Sequence, residues 1–132
     1  NAPFLSVSIT EFFTRWHMSM GQFVLRNFFT PVQLILVRKF GVRRSVSASI
    51  FSMIISFGFV GLWHRLSLTW FLWGVVMGFL MAAEKYSQTV LINLKWKPSR
   101  YIKTGIDNLG RVYVWSMLTL TIYFVSSEIF PK

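Results

Sequence analysis

Two histidines stand among 132 residues that include no cysteine, and both fall where imidazole chemistry is the natural reading. His64 follows 18 uncharged residues (46–63), and only Arg65 separates it from 18 more (66–83). A titratable ring between two apolar runs is costly to place in a bilayer, so such a residue marks a functional position by default. Imidazole changes charge near neutrality and is the usual general base for drawing the proton off a hydroxyl. His17 stands four residues after Phe13 and three before Met20, which leans it toward an apolar helix face. Each has a plainer alternative. His64 could be a helix-end residue snorkelling to the headgroups, and His17 a ring hydrogen-bonded to backbone inside a bundle. Ser19 has no recognisable Ser-His-Asp arrangement around it and reads as structural. The acids Glu11, Glu84, Asp107 and Glu128 are scattered, so no metal site is expected.

The elements that must position these residues are membrane helices. The chain is 54% hydrophobic and 18% aromatic, and its uncharged runs are too long for an ordinary soluble domain. At ~1.5 Å per residue an 18-residue run covers about 27 Å, close to the ~30 Å hydrocarbon core, so 45–63 and 66–83 each predict a span. Segment 112–127 has 16 uncharged residues and spans only with little tilt or with snorkelling neighbours. The net charge of +10 would suggest a nucleic-acid partner in a soluble domain, but here the cations flank the spans, and no nucleic acid is expected. Arg38, Lys39, Arg43 and Arg44 precede the first span; Lys85, Lys95, Lys97, Arg100, Lys103 and Arg111 fill the segment between the second and third. The positive-inside rule makes both groups cytoplasmic and puts His64 toward the outer side.

Ser8-Ile9-Thr10-Glu11 fits a capping box that opens an amphipathic interfacial helix over 8–29, with Phe12, Trp16, Met20 and Phe23 on one face. Pro31 predicts a break, and 32–37 before Arg38-Lys39 predicts a re-entrant half-helix. The two long runs have only residues 64–67 between them and must form an antiparallel hairpin. Gly74, Gly78 and Ala82 give the second run a small-residue stripe suited to close helix approach. Segment 84–111, basic and aromatic, predicts a cytoplasmic loop on the headgroup layer. The expected fold is all-α, a polytopic transmembrane helical fragment of about three membrane spans within residues 1–132. Three spans bury little by themselves, so the chain is expected to be the C-terminal part of a larger membrane protein.

Two segments carry a family resemblance. Residues 10–29, TEFFTRWHMSMGQFVLRNFF, resemble the Arg-Trp-His-Met-Ser segment of membrane-bound O-acyltransferases. GFVGLWH at 58–64, followed by WFLWGVVMG at 70–78, resembles the segment bearing that family's invariant histidine. The two stand in the family's order, about 45 residues apart, and the likeness covers roughly residues 8–86. Bacterial members that esterify cell-surface polymers, such as the alginate O-acetylation and teichoic-acid D-alanylation membrane components, are similar by motif.

The resemblance implies an O-acyltransferase in which His64 and His17 are catalytic and Arg15, Trp16, Trp63 and Arg65 contact substrate. It implies no bound cofactor; an acyl thioester, as acyl-CoA or on an acyl carrier protein, is the substrate on the cytoplasmic side. The acyl group is expected to be small, such as acetyl. The other partners are the lipid bilayer and a periplasmic transferase or relay protein, with the bacterial cytoplasmic (inner) membrane as location. Two departures stand out. Arg65 follows the histidine where the family usually has a small residue, and Met77 stands where many bacterial relatives have a second histidine. An inactive scaffold for a partner transferase, or a transporter, is the alternative reading.

Overall fold

The computed structural model describes residues 2–16 and 18–129, with side chains described as far as residue 126. After a short 3-10 turn at Pro3–Leu5, helix α1 (Ile9–Trp16) opens with the expected cap, Ser8 Oγ accepting from the Glu11 N–H at 3.1 Å. The Glu11 carboxylate reaches one residue beyond the expected partner and accepts from the Val7 N–H at 2.8 Å.

Helix α2 (Met18–Val24) passes through a π turn (Leu25–Phe29) into α3 (Thr30–Phe40). Pro31 therefore does not break the path. It has no N–H to give to the preceding turn, and the wide π turn absorbs that loss. The Leu25 carbonyl accepts both the Thr30 N–H and the Thr30 hydroxyl, the latter at 2.8 Å, while Pro31 sits in the first turn of α3, where a missing N–H costs little. Gly41, at φ 85°, ends α3 with its N–H on the Val37 carbonyl at 2.8 Å, a left-handed position that favours glycine.

Helices α4 (Ser45–His64) and α5 (Leu68–Asn93) form an antiparallel hairpin, the most extensive helix contact among the described residues. Its turn is short. Ser67 caps α5 by accepting from the Trp70 N–H at 3.3 Å. The helices approach so closely because glycines face backbone. A Cβ at Gly74 would run into the Phe57 carbonyl, and one at Gly61 into the Trp70 carbonyl. At Gly78 it would come within 2.8 Å of the Ile54 Cα. The stripe on α5 thus meets a glycine on α4, Gly61. Gly74→Leu is expected to force the helices apart and cost about 1–3 kcal/mol or more, the usual range for overpacking. A thermal-unfolding midpoint of the full-length variant in detergent equal to wild type would contradict this packing.

Helix α6 (Arg100–Ile129) completes the fold. Three stretches, Val42–His64, Leu68–Asn93 and Arg100–Ser126, are long and apolar enough to cross a membrane. Both α5 and α6 extend well beyond the uncharged runs that mark them in the sequence, so most of 84–111 is helical and only 94–99 connects the two helices. Hydropathy sets where a helix leaves the hydrocarbon, whereas backbone hydrogen bonding sets where it ends, and Lys, Gln and Leu continue a helix readily.

The core lies where α1 packs among α5 and α6. Ile9, Phe12, Trp73, Met77, Met81 and Val114 form one buried cluster. Outside it, large apolar side chains such as Ile35, Phe51, Ile55, Val76 and Ile122 are exposed. Such a surface suits hydrocarbon rather than water.

Candidate active site

His64 is the last residue of α4, at the end of the hairpin away from its basic ends, where Arg43 and Arg44 precede α4 and Lys85 lies on α5. Close contact at Gly61 brings the first turn of α5 against the last turn of α4. Trp70 and Trp73, three residues apart on one face of α5, then meet the imidazole. The Trp70 ring stacks on it at 5.1 Å between centroids with a 29° tilt, and Trp73 meets it edge-on at 5.9 Å and 78°. The two indoles brace each other at 5.6 Å.

His64 also lines a cavity of about 280 Å³ between the hairpin and the α1–α2 segment. One stripe of α4 forms a wall, Met53, Ser56, Phe57, Val60 and His64. The eleven residue-to-residue rises from Met53 to His64 make this wall roughly 16 Å long, about half a hydrocarbon core. Trp73 and Met81 contribute from α5, and Thr10, Phe13 and Thr14 from α1. The cavity is mostly apolar, with an imidazole at one end. Such a space can hold an extended, largely uncharged molecule and present one of its atoms to a base.

Helix α1 is held in place as the facing wall by an acid from α5. The Glu84 carboxylate accepts from the Ile9 N–H at 2.8 Å, the Thr10 N–H at 3.0 Å and the Thr10 hydroxyl at 2.7 Å. Tyr113 of α6 lies beside the same carboxylate. With Ser8 Oγ on the Glu11 N–H and the Ser8 carbonyl on the Phe12 N–H, the first turn of α1 is fully satisfied. A carboxylate at a helix N-terminus is also favoured by the helix dipole. Sequence reasoning missed this role; the only available signal was the cost of an acid directly behind an uncharged run. Glu84→Ala is expected to destabilise the full-length protein by about 1–3 kcal/mol, since it strands buried backbone donors. An unfolding midpoint unchanged from wild type would contradict the role.

The other site residues expected from the sequence lie elsewhere. Arg15 pairs with Glu11 and donates to the Ala2 carbonyl at 3.3 Å. Trp16 stacks on Phe12 and meets Phe4 edge-on, and Phe4 in turn stacks on Trp115 of α6. Trp63 is 70% exposed and packs beside Phe59 and Phe23. Arg65 is exposed just past the end of α4. None of these four lines the cavity that His64 lines. His17 lies outside the described residues. Met77, 4% exposed, packs in the core and does not line the cavity.

A bundle of helices long and apolar enough to cross a membrane, with a histidine at the end of an apolar cavity, defines an integral membrane protein. The sequence model of the membrane-bound O-acyltransferase family matches residues 3–127, and the chain belongs to that family. It is 26% identical over 99 residues to the teichoic acid D-alanyltransferase of Bacillus subtilis (strain 168), covering 75% of this chain and 25% of that protein. It is 32% identical over 101 residues to the "Probable alginate O-acetylase AlgI" of Pseudomonas aeruginosa, covering 73% of this chain and 18% of the relative. The peptidoglycan O-acetyltransferase of Helicobacter pylori is 25% identical over 85 residues, 64% of this chain and 15% of the relative. The chain thus spans a quarter or less of the length of these curated relatives.

Proposed function

We propose that the full-length protein is a membrane O-acyltransferase that moves a small acyl group, such as acetyl, from a cytoplasmic thioester to a hydroxyl on the far side of the bacterial inner membrane. The observation that carries this reading is the cavity, which runs along α4 toward the basic end of the hairpin and has His64 at the other end. The positive-inside rule assigns the basic end to the cytoplasm, where acyl-CoA or an acyl carrier protein is available. The acceptor is a cell-surface polymer or a relay protein that hands the group to a periplasmic transferase.

His64 acts as general base. An imidazole nitrogen takes the hydroxyl proton as the oxygen attacks the thioester carbonyl carbon. The tetrahedral intermediate then collapses, the C–S bond breaks, and the leaving thiolate takes the proton from the imidazolium. The base supplies typically ~10²- to 10⁴-fold, and holding both reactants at one end of the cavity supplies a further large share. His17, Arg15, Trp16, Trp63 and Arg65 are assigned secondary roles around the same transfer, in parts of the site completed by the rest of the protein.

Incubating the purified full-length protein with labelled acyl thioester tests the reaction. Turnover, seen as free thiol and esterified label, supports it; capture of a partner protein without turnover points instead to a scaffold, and vesicle uptake without chemical change to a transporter.

A further inference from the structure

Residues 95–103, which lead from α5 into α6, contain Lys95, Lys97, Arg100 and Lys103 and no acid. All four cations are exposed, and none forms an ion pair or side-chain hydrogen bond among the described residues. None lines the cavity beside His64. The acyltransferase reading therefore leaves this surface without a role.

The turn itself holds a lysine where glycine is the ordinary choice. The Trp96 N–H donates to the Leu91 carbonyl at 3.2 Å and the Lys95 N–H to the Ile92 carbonyl at 3.0 Å, a helix-ending pattern that needs a left-handed residue at Lys95. Its φ is 50°. A Cβ is disfavoured in that region, so Lys95 places a cation at the turn against a steric cost that glycine would not carry.

Helix lengths place this turn in the bilayer. Helix α4 has 20 residues and α5 has 26. At ~1.5 Å per residue α4 matches the ~30 Å hydrocarbon core, whereas α5, at about 39 Å, approaches the ~40–45 Å of a bilayer with its headgroup layers. The two start from one short turn, so the extra length of α5 carries its end out of the hydrocarbon and among headgroups. Leu94, Trp96, Tyr101 and Ile102 are exposed there between the cations. Apolar and aromatic side chains mixed with cations suit the boundary between acyl chains and headgroups. A soluble acidic partner would match the cations and leave Leu94 and Ile102 in water.

We infer that the α5–α6 connection is a docking surface for anionic phospholipid headgroups, with Lys95, Lys97, Arg100 and Lys103 meeting the phosphates and Trp96 and Tyr101 seated at headgroup level. Each cation close to an anionic leaflet favours it by about fivefold, and salt screens the attraction. Because α5 also carries Glu84, whose carboxylate holds the start of α1, lipid bound at its end stabilises the folded bundle by mass action.

The test uses the purified full-length protein in equimolar phosphatidylcholine and phosphatidylglycerol bilayers, with photoreactive analogues of each lipid as probes and the cross-links mapped by peptide mass spectrometry. Phosphatidylglycerol is expected to label residues 94–103 at least about fivefold more than phosphatidylcholine at low salt, the preference shrinking as salt shortens the Debye length. Replacing Lys95, Lys97, Arg100 and Lys103 together by Gln should bring the two lipids within about twofold of each other. A second variant guards against misfolding. Lys95→Gly relieves the left-handed position, so its unfolding midpoint in phosphatidylcholine should equal or exceed wild type while phosphatidylglycerol labelling falls about two- to fivefold. Equal labelling by the two lipids in the wild type, or a preference unchanged in the fourfold variant, overturns the inference. Displacement of the lipid by inorganic phosphate, beyond that caused by sodium chloride of equal ionic strength, overturns it in favour of a free-phosphate site. Displacement by an acidic acyl carrier protein overturns it in favour of a protein-docking surface.

Discussion

His64→Ala is expected to lower acyl transfer by about 10²- to 10⁴-fold, the share that a positioned general base contributes. The fold should survive the change. His64 is exposed at the last position of α4, and its described neighbours, Trp70 and Trp73, also brace each other. Removing one ring from such a group costs ~0.5–1.5 kcal/mol beyond lost area, small beside the hairpin packing that holds this end of the bundle. The hairpin itself is fixed by glycine-to-backbone contacts at Gly61, Gly74 and Gly78, which the substitution does not touch. Transfer measured alongside an unfolding midpoint separates the two effects: activity should fall by orders of magnitude while the midpoint moves little. Wild-type transfer by a correctly inserted His64→Ala protein would show that the histidine is a snorkelling helix-end residue.

Gly21→Phe should abolish transfer to a comparable degree while leaving stability intact. Gly21 lines the cavity, and a Cβ built there meets nothing within 4 Å. A phenyl ring at this position therefore has open space to occupy beside the cavity that Gly21 lines. Displacing the substrate by even ~1 Å from its reactive geometry costs about 10²-fold, so a ring at the edge of a cavity of about 280 Å³ should have at least that effect. Replacing a helical glycine also favours the helix by several tenths of a kcal/mol. The expected signature is thus an inactive protein at least as stable as wild type. An active Gly21→Phe protein would mean that the substrate does not use this cavity.

The membrane class and the hairpin were legible because both are written locally, in two 18-residue uncharged runs separated by a histidine and an arginine. His64 was legible for the same reason, as its cost in a bilayer depends only on what flanks it. Its surroundings were not. Trp70 and Trp73 meet the site through the register of α4 against α5, and that register is set by backbone contacts at Gly61 and Gly74 that one sequence does not encode in readable form. Neighbours in sequence are not neighbours at the cavity, for a geometric reason. Adjacent helical residues point about 100° apart, so Trp63 beside His64 faces Phe59 and Phe23, away from the cavity. Trp16 likewise packs with Phe4 and Phe12, while Thr10, Phe13 and Thr14 supply the face of α1 that lines the cavity. Pro31 misled because a π turn can absorb a missing N–H, and Glu84 was passed over because its partners, the first N–H groups of α1, lie more than seventy residues away in the chain.

The family departures acquire a physical reading too. Met77 fills a core position against Ile9, Phe12 and Val114, where an apolar side chain is well placed. Arg65 stands just past the end of α4 and outside the cavity lining, so the departure at this position does not fill the cavity.

The central claim is that one cavity connects a cytoplasmic thioester with a base near the opposite face. Sealed inside-out and right-side-out vesicles, each given membrane-impermeant labelled acetyl-CoA from outside, test it most directly. The account predicts His64-dependent transfer in the inside-out vesicles, with the label esterified on the lumenal side, and none in the right-side-out vesicles. Transfer only from the right-side-out orientation, or label esterified on the same side as the thioester, would contradict it.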